Sequence, residues 1–121
     1  MQTNNYVLPE WRFVGGETQT RIFTLYRMGG SVAYDIPNAS IELSIVDFVH
    51  PKSTPTKLGV SEIQSDDDGV FCNVSVKLSP RDTVNLSGKF IYQLSIKDGL
   101  GNVSISKGIM YISENIDKSF I

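Results

Sequence analysis

The sequence predicts an all-β domain, an antiparallel two-sheet sandwich of about seven strands, for which immunoglobulin-like topology is the commonest form. Three observations predict it. Apolar residues recur with period two, as in Phe90, Tyr92, Leu94 and Ile96 with Gln93, Ser95 and Lys97 on the opposite face. Turn signals punctuate the chain roughly every eight to twelve residues. No long run has the helical period. The Cys…Trp…Cys core of antibody domains is absent, because Cys72 is the one cysteine.

The totals bound the function classes. A chain of 121 residues is one domain, spanning 1–121, with 1–5 and 114–121 expected as loose tails. Eleven Lys and Arg against thirteen Asp and Glu, scattered without a basic stripe, do not suit a nucleic-acid partner. No apolar run approaches the ~20 residues that span a bilayer, so no membrane insertion is expected. The segment from Met1 to Tyr6 lacks the basic and apolar regions of a signal peptide. A lone cysteine fits folding in a reducing compartment.

In order, Tyr6-Val7-Leu8 and Trp11 to Val14 flank Pro9, which removes a ladder donor and predicts an edge strand or two short pieces around a bulge. After the Gly15-Gly16-Glu17 turn, Thr18 to Tyr26 alternates, with Phe23 and Leu25 as core candidates and Arg21 at the end of their face. The turn Arg27 to Ser31 leads to a short strand with Val32, Tyr34 and Ile36, broken by Pro37-Asn38. Ala39 to Phe48 is the clearest strand of the first half, with Ala39, Ile41, Leu43 and Ile45 inward. Its end, Val46 to Val49, is apolar on both faces and predicts a covered end or a contact surface.

His50 to Thr56 contains Pro51 and Pro55 and reads as a loop; Lys57 to Gln64 is weakly extended. A turn at Ser65 to Gly69 precedes a strand to Leu78, with Val70, Cys72, Val74, Val76 and Leu78 inward and Asn73, Ser75 and Lys77 outward. Pro80 to Leu86 predicts a single helical turn, and Gly99 to Asn102 a hairpin turn. The last strand runs Ile105, Gly108, Ile109, Met110, Tyr111 and Ile112, and its apolar parity shifts near Gly108, which predicts a β-bulge there.

No catalytic constellation emerges, and no enzyme, cofactor or metal is expected. His50, the one histidine, reads as a solvated loop residue, and Cys72 as a small core hydrophobe without a base partner. Asp66-Asp67-Asp68-Gly69 lacks the alternating ligands of a calcium loop and reads as a turn. Asn-x-Ser sequences begin at Asn38, Asn73, Asn85 and Asn102; without a secretory leader they read as turn and outward-face residues. Gly99-Leu100-Gly101-Asn102 opens no helix, so it is no phosphate cradle. Trp11, Phe13, Phe48 and Phe71 are not clearly buried by alternation, and each is a candidate interface residue. Phe120 and Ile121, apolar on a polar tail, join them.

The second half carries a resemblance. A strand ending Val76-Lys77-Leu78 is followed by Ser79-Pro80-Arg81-Asp82, then Leu86-Ser87-Gly88-Lys89-Phe90-Ile91-Tyr92-Gln93-Leu94, Ile96-Lys97-Asp98, Gly101, Gly108 to Ile112 and Glu114-Asn115-Ile116. In the first half Gly16-Glu17, Phe23 to Tyr26, Gly30, Val32 to Ile36 and Ala39 to Ile45 fall in a matching layout. This order resembles the N-terminal immunoglobulin-like domain of tailed-phage baseplate upper proteins and related phage structural proteins. The resemblance implies a non-enzymatic phage or prophage virion protein, made in the host cytoplasm, that docks as a baseplate or tail accessory or capsid decoration. Its implied partners are other virion proteins and copies of itself. The alternative is a carbohydrate- or receptor-binding module on the particle surface. The family supplies no catalytic residues, and fold alone does not specify function.

Overall fold

Two sheets face each other across one apolar core. The computed structural model describes residues 7–26, 39–67, 71–101 and 103–121, with 25, 26, 64–67, 71 and 72 described by backbone alone. Its elements are β1 (Trp11–Val14), β2 (Gln19–Tyr26), β3 (Ser40–Asp47), β4 (Thr56–Lys57), β5 (Val60–Asp67), β6 (Phe71–Leu78), α1 (Pro80–Thr83), β7 (Gly88–Lys97) and β8 (Val103–Ser113). A 3-10 turn over Lys118–Phe120 follows. Among the described residues no helix is long and apolar enough to cross a membrane.

The strand order is β1-β8-β7-β3-β4 in one sheet and β2-β6-β5 in the other. In immunoglobulin lettering, β2, β6 and β5 take the places of B, E and D, and β8, β7 and β3 those of G, F and C. The fold is thus the expected immunoglobulin-like β-sandwich. One pair departs from antiparallel: β1 runs parallel to β8, from Trp11↔Met110 to Val14↔Ser113. Pro9 just before it has no amide hydrogen to give a ladder, and β1 is the edge strand that this proline predicts.

The parities expected for β3, β6 and β7 are those observed. Leu43 and Ile45, Val74, Val76 and Leu78, and Tyr92, Leu94 and Ile96 are buried, with Ala39 and Ile41 packed partly against them. Ser75, expected outward, is nonetheless only 3% exposed. It sits on the central strand of its sheet, between Ile22 and Glu62, whose longer side chains crowd it.

The bulge expected near Gly108 is not there. Register between β7 and β8 is unbroken from Gly88↔Ile112 to Lys97↔Val103. Ser106, Gly108, Met110 and Ile112 all face the core, and Ile105 and Ile109 face out. The small residues of β8 leave room for larger neighbours: a Cβ at Gly108 would stand 2.8 Å from Tyr92 Cε1 and 3.0 Å from Leu8 Cβ. A register shift does occur in β5, between Ile63 and Ser65, where this weakly alternating strand leaves one residue unpaired against β6.

The core is aromatic at its centre. Trp11 stands 5.6 Å from Phe13, 5.6 Å from Phe23 and 5.8 Å from Tyr92, ring centre to ring centre. Phe23 and Tyr92, 5.9 Å apart, join the two strands that a disulfide links in antibody domains. Edge and tilted contacts of this kind add about 0.5–1.5 kcal/mol per pair to the burial itself. The Tyr92 hydroxyl donates to the Pro9 carbonyl. Burial pushes Tyr92 up to about 12, against the pull of the nearby Arg21 guanidinium.

A polar clasp closes one end. Pro80 opens α1, and the Ser79 N–H donates to Asp82 Oδ2 at 2.7 Å. Buried Thr83 accepts the Gly16 N–H on Oγ1 at 2.9 Å, and Asn115 Nδ2 donates to the Gly15 carbonyl at 2.7 Å. A Cβ at Gly15 would lie 2.6 Å from the Thr83 carbonyl oxygen, so only glycine allows this approach. The segment after Ser113, expected loose, is thereby tied at Asn115, while Ile116 and Phe120 stand exposed.

Several expectations fall on residues outside those described: the 1–5 tail, the turn from Arg27, the strand of Val32, Tyr34 and Ile36, and Asn38 and Asn102. The same holds for Asp68-Gly69 and for the side chains of Leu25 and Cys72. The turn expected to begin at Ser65 is not there over Ser65 to Asp67, which belong to β5.

Candidate docking surface

The six aromatic and apolar interface candidates do not come together. Trp11 and Phe13 are core residues, 2% and 6% exposed, and this corrects the expectation of a contact role. The edge strand puts them inward in a Trp11, Phe13 alternation, and Phe23 of the facing sheet completes their cover. Phe71 lies on β6, with its side chain outside the described residues. Phe48, Phe120 and Ile121 are exposed, Ile121 against the Gly16 turn. His50 is exposed in its loop.

A different surface is assembled by register. On the outer face of the five-stranded sheet, Arg12, Tyr111 and Lys89 form one cross-strand row. The Arg12 guanidinium sits 4.0 Å from the centre of the Tyr111 ring, and Lys89 Nζ sits 3.7 Å from that of Phe48. The Phe48 N–H donates to the Lys89 carbonyl at 3.0 Å, which carries the row onto the loop after β3. Glu10 pairs with Arg12. Exposed cation–π contacts are worth about 0.5–1 kcal/mol each, so the row is ordered without being rigid.

The next row is apolar: Ile109, Ile91 and Val46 stand side by side on β8, β7 and β3, each half-buried. Ile105 and Val103 continue the apolar character along β8, 44% and 57% exposed. Beside them Lys107, Gln93 and Ser44 make a polar row, and the Gln93 amide donates to Ser95 Oγ at 3.0 Å. Here a groove of about 370 Å³ opens, lined by these three strands and by Pro51 and Pro55. The prolines stiffen the loop that forms this wall.

The opposite outer face, on the three-stranded sheet, is different in kind. Thr24 Oγ1 donates to Asn73 at 2.7 Å, and Ser75, Lys77 and Glu62 stand among two exposed aliphatic residues on different strands, Ile22 and Val60. A groove of about 460 Å³ opens on this side too, between Thr18, Thr20, Val60 and Lys77. What distinguishes the larger sheet among the described residues is its contiguous cross-strand apolar row with the cation–aromatic row beside it.

Nothing in the described residues forms a catalytic cluster. No three His, Cys, Asp or Glu side chains there could hold a metal ion. Tyr92, the group whose ionisation is shifted, becomes a poorer acid and is already committed to Pro9.

The sequence singled out neither Ile91 nor Ile109. A bulge near Gly108 would have set Ile105 on the face of Met110 and Ile112, whereas unbroken register turns Ile105 outward with Ile109. Strict alternation counted from Tyr92 and from Met110 places Ile91 and Ile109 on the outer face.

No family model matches the chain, and no curated protein matches it. Among solved structures, it is similar to the crystal structure of AggA, the major subunit of aggregative adherence fimbriae type I from Escherichia coli. The identity is 13% and the TM-score 0.41, over 88% of this chain and 91% of that chain. That neighbour is a fimbrial subunit and not a phage protein, which corrects the expectation of a phage virion component and of a glycan- or receptor-binding module on such a particle. Neither role is retained.

Proposed function

We propose that this domain is a non-enzymatic docking module that binds another protein through the outer face of its five-stranded sheet. One observation carries the reading: the contrast between the two outer faces. The larger sheet turns Ile91, Ile109, Val46, Ile105 and Val103 outward, ordered beside a cation–aromatic row. Among its described side chains, the smaller sheet turns out hydroxyl, amide and charged groups with Ile22 and Val60 among them, not paired across strands into a row. Clustered apolar groups rimmed by polar ones are the signature of a surface that excludes water against a partner. The tyrosine whose ionisation is shifted is buried in the core and bonded to the Pro9 carbonyl, so it lends no support to catalysis.

The test is a pair of single substitutions, one per face. Ile109→Arg places a charge at the centre of the proposed contact; Thr24→Arg places one on the opposite sheet. Both positions face solvent, so both variants should fold, as urea unfolding would confirm. Size-exclusion chromatography of the protein gently released from its producing cells then reads complex size. The reading expects Ile109→Arg to elute free and Thr24→Arg to remain in the complex. Loss with Thr24→Arg alone would refute it.

A further inference from the structure

Two lysines bracket the apolar row of the docking face. Lys89 stands two residues before Ile91 on β7, and Lys107 two residues before Ile109 on β8. The strands are antiparallel and pair Ile91 with Ile109, so the two lysines fall on opposite sides of the row. Lys89 shares its cross-strand row with Tyr111 and Arg12, and Lys107 shares its own with Gln93, Ser44 and Lys57. The carboxylates of Glu10 and Glu42 are taken, by Arg12 and by Lys57 at 3.2 Å. Lys89 and Lys107 are exposed and make no ion pair among the described residues; Lys89 rests on the Phe48 ring. An apolar stripe thus carries uncompensated positive charge on both flanks, in a chain that nets -2.

The dimensions of the stripe select a shape. Ile109, Ile91 and Val46 lie on neighbouring strands about 4.8 Å apart, so the stripe runs across the strands for about 10 Å. Along one face of a helix, side chains recur at i, i+3 or i+4, and i+7, a rise of about 5 Å per step and about 10.5 Å in all. An extended segment repeats on one face only every ~6.7 Å. That step fits the strand direction, where Ile105, Lys107 and Ile109 interrupt apolar with charged and offer no continuous stripe. The rows of Lys89 and Lys107 each stand two strand residues from the apolar row, and so about 13 Å from one another. A helix about 10–12 Å across lies between them.

Resting on the docking reading above, we infer that the partner presents an amphipathic helix laid across β8, β7 and β3. Its apolar stripe covers Ile109, Ile91 and Val46, and a carboxylate on each flank faces Lys107 or Lys89. Charge complementarity makes the flanks acidic, and the apolar row favours a protein over a bare polyanion. Anchors at helical spacing against an apolar surface are an established mode of helix recognition. The groove on the Lys107 side, walled by Pro51 and Pro55, receives one flank of the helix. Exposed ion pairs are individually weak and screened by salt, so the lysines select the partner while the isoleucines hold it.

The probe is a labelled, Ala-rich synthetic peptide of about 18 residues, long enough to be helical alone, with Leu along one stripe and Glu on both flanks. A second peptide has Lys for every Glu, and a third keeps Glu but has Gln for every stripe Leu. Fluorescence anisotropy with the purified protein at about 0.02 M salt reads all three. The native protein should bind the Glu peptide about ten-fold or more tightly than the Lys peptide, because the exchange turns two attractions into two repulsions. That preference should shrink at about 0.5 M salt, and the Gln peptide should bind poorly at either. Lys89→Glu with Lys107→Glu should invert the preference, while Thr24→Arg on the opposite sheet should leave it unchanged. Both lysines are exposed, so the double variant should fold, as urea unfolding would confirm. A native protein that binds none of the peptides, shows no preference for Glu, binds the Gln peptide as well, or keeps its preference after the double reversal overturns the acidic-helix assignment. If Ile109→Arg still releases the cellular complex in that case, the docking reading stands with a partner of another shape or charge. If Ile109→Arg leaves the complex intact, the docking reading itself fails.

Discussion

Gly108→Ala is the substitution on which the two possible accounts of β8 differ in sign. If the strand bulged at Gly108, as its apolar pattern suggests, an added methyl would find space. Replacing glycine there would reduce the freedom of the unfolded chain and stabilise the fold by about 0.4–1 kcal/mol. In the unbroken register the methyl meets Tyr92 at 2.8 and 2.9 Å and Leu8 at 3.0 Å. The ring has nowhere to go. Trp11 and Phe23 flank it with centroids 5.8 and 5.9 Å away, and its hydroxyl is tied to the Pro9 carbonyl. Overpacking of a filled core costs about 1–3 kcal/mol, so Gly108→Ala should destabilise by that amount. Urea unfolding followed by the fluorescence of Trp11, the single tryptophan, measures it. Tyr92→Leu supplies the control, because removing the ring should remove most of the alanine penalty, a coupling of about 0.5–3 kcal/mol. A neutral or stabilising Gly108→Ala, or an equal cost in both backgrounds, would refute the packing argument.

Two further outcomes follow from buried polar groups. Tyr92 ionises at about 12 in the folded chain against the ordinary 10.0, so its neutral form favours folding. That contribution is fully present below pH ~10 and is lost as pH rises toward ~12, on the order of 2 kcal/mol, a loss that Tyr92→Phe should abolish in pH-dependent unfolding. Thr83→Val keeps shape but strips the acceptor from the Gly16 N–H, and should cost about 1–3 kcal/mol, whereas Thr83→Ser should cost clearly less; equal losses would deny the clasp its hydrogen bond.

Legibility followed the local signal. β3, β6 and β7 could be read directly, because each alternates over eight residues or more and both its neighbours and its burial follow the same period. The one helical turn was legible from Ser79-Pro80 with Asp82. Trp11 was not, since β1 is four residues long and what covers its ring, Phe23 and Tyr92, comes from β2 and β7, distant in sequence. β8 misled for the opposite reason. Its core face holds Ser106 and Gly108, small because a tyrosine fills the space, so the apolar residues that caught the eye were the outward ones. The charge asymmetry was hidden too, because cations that lie scattered along the chain converge only through register.

The central claim is that the outer face of the larger sheet is the one that meets a partner. The most direct measurement is site-specific photo-crosslinking in the producing cells, with a benzophenone side chain placed at Ile91 in one protein and at Thr24 in another. The account predicts discrete protein adducts from position 91 and none from position 24. Adducts from position 24 alone, or equal adducts from both, would contradict it.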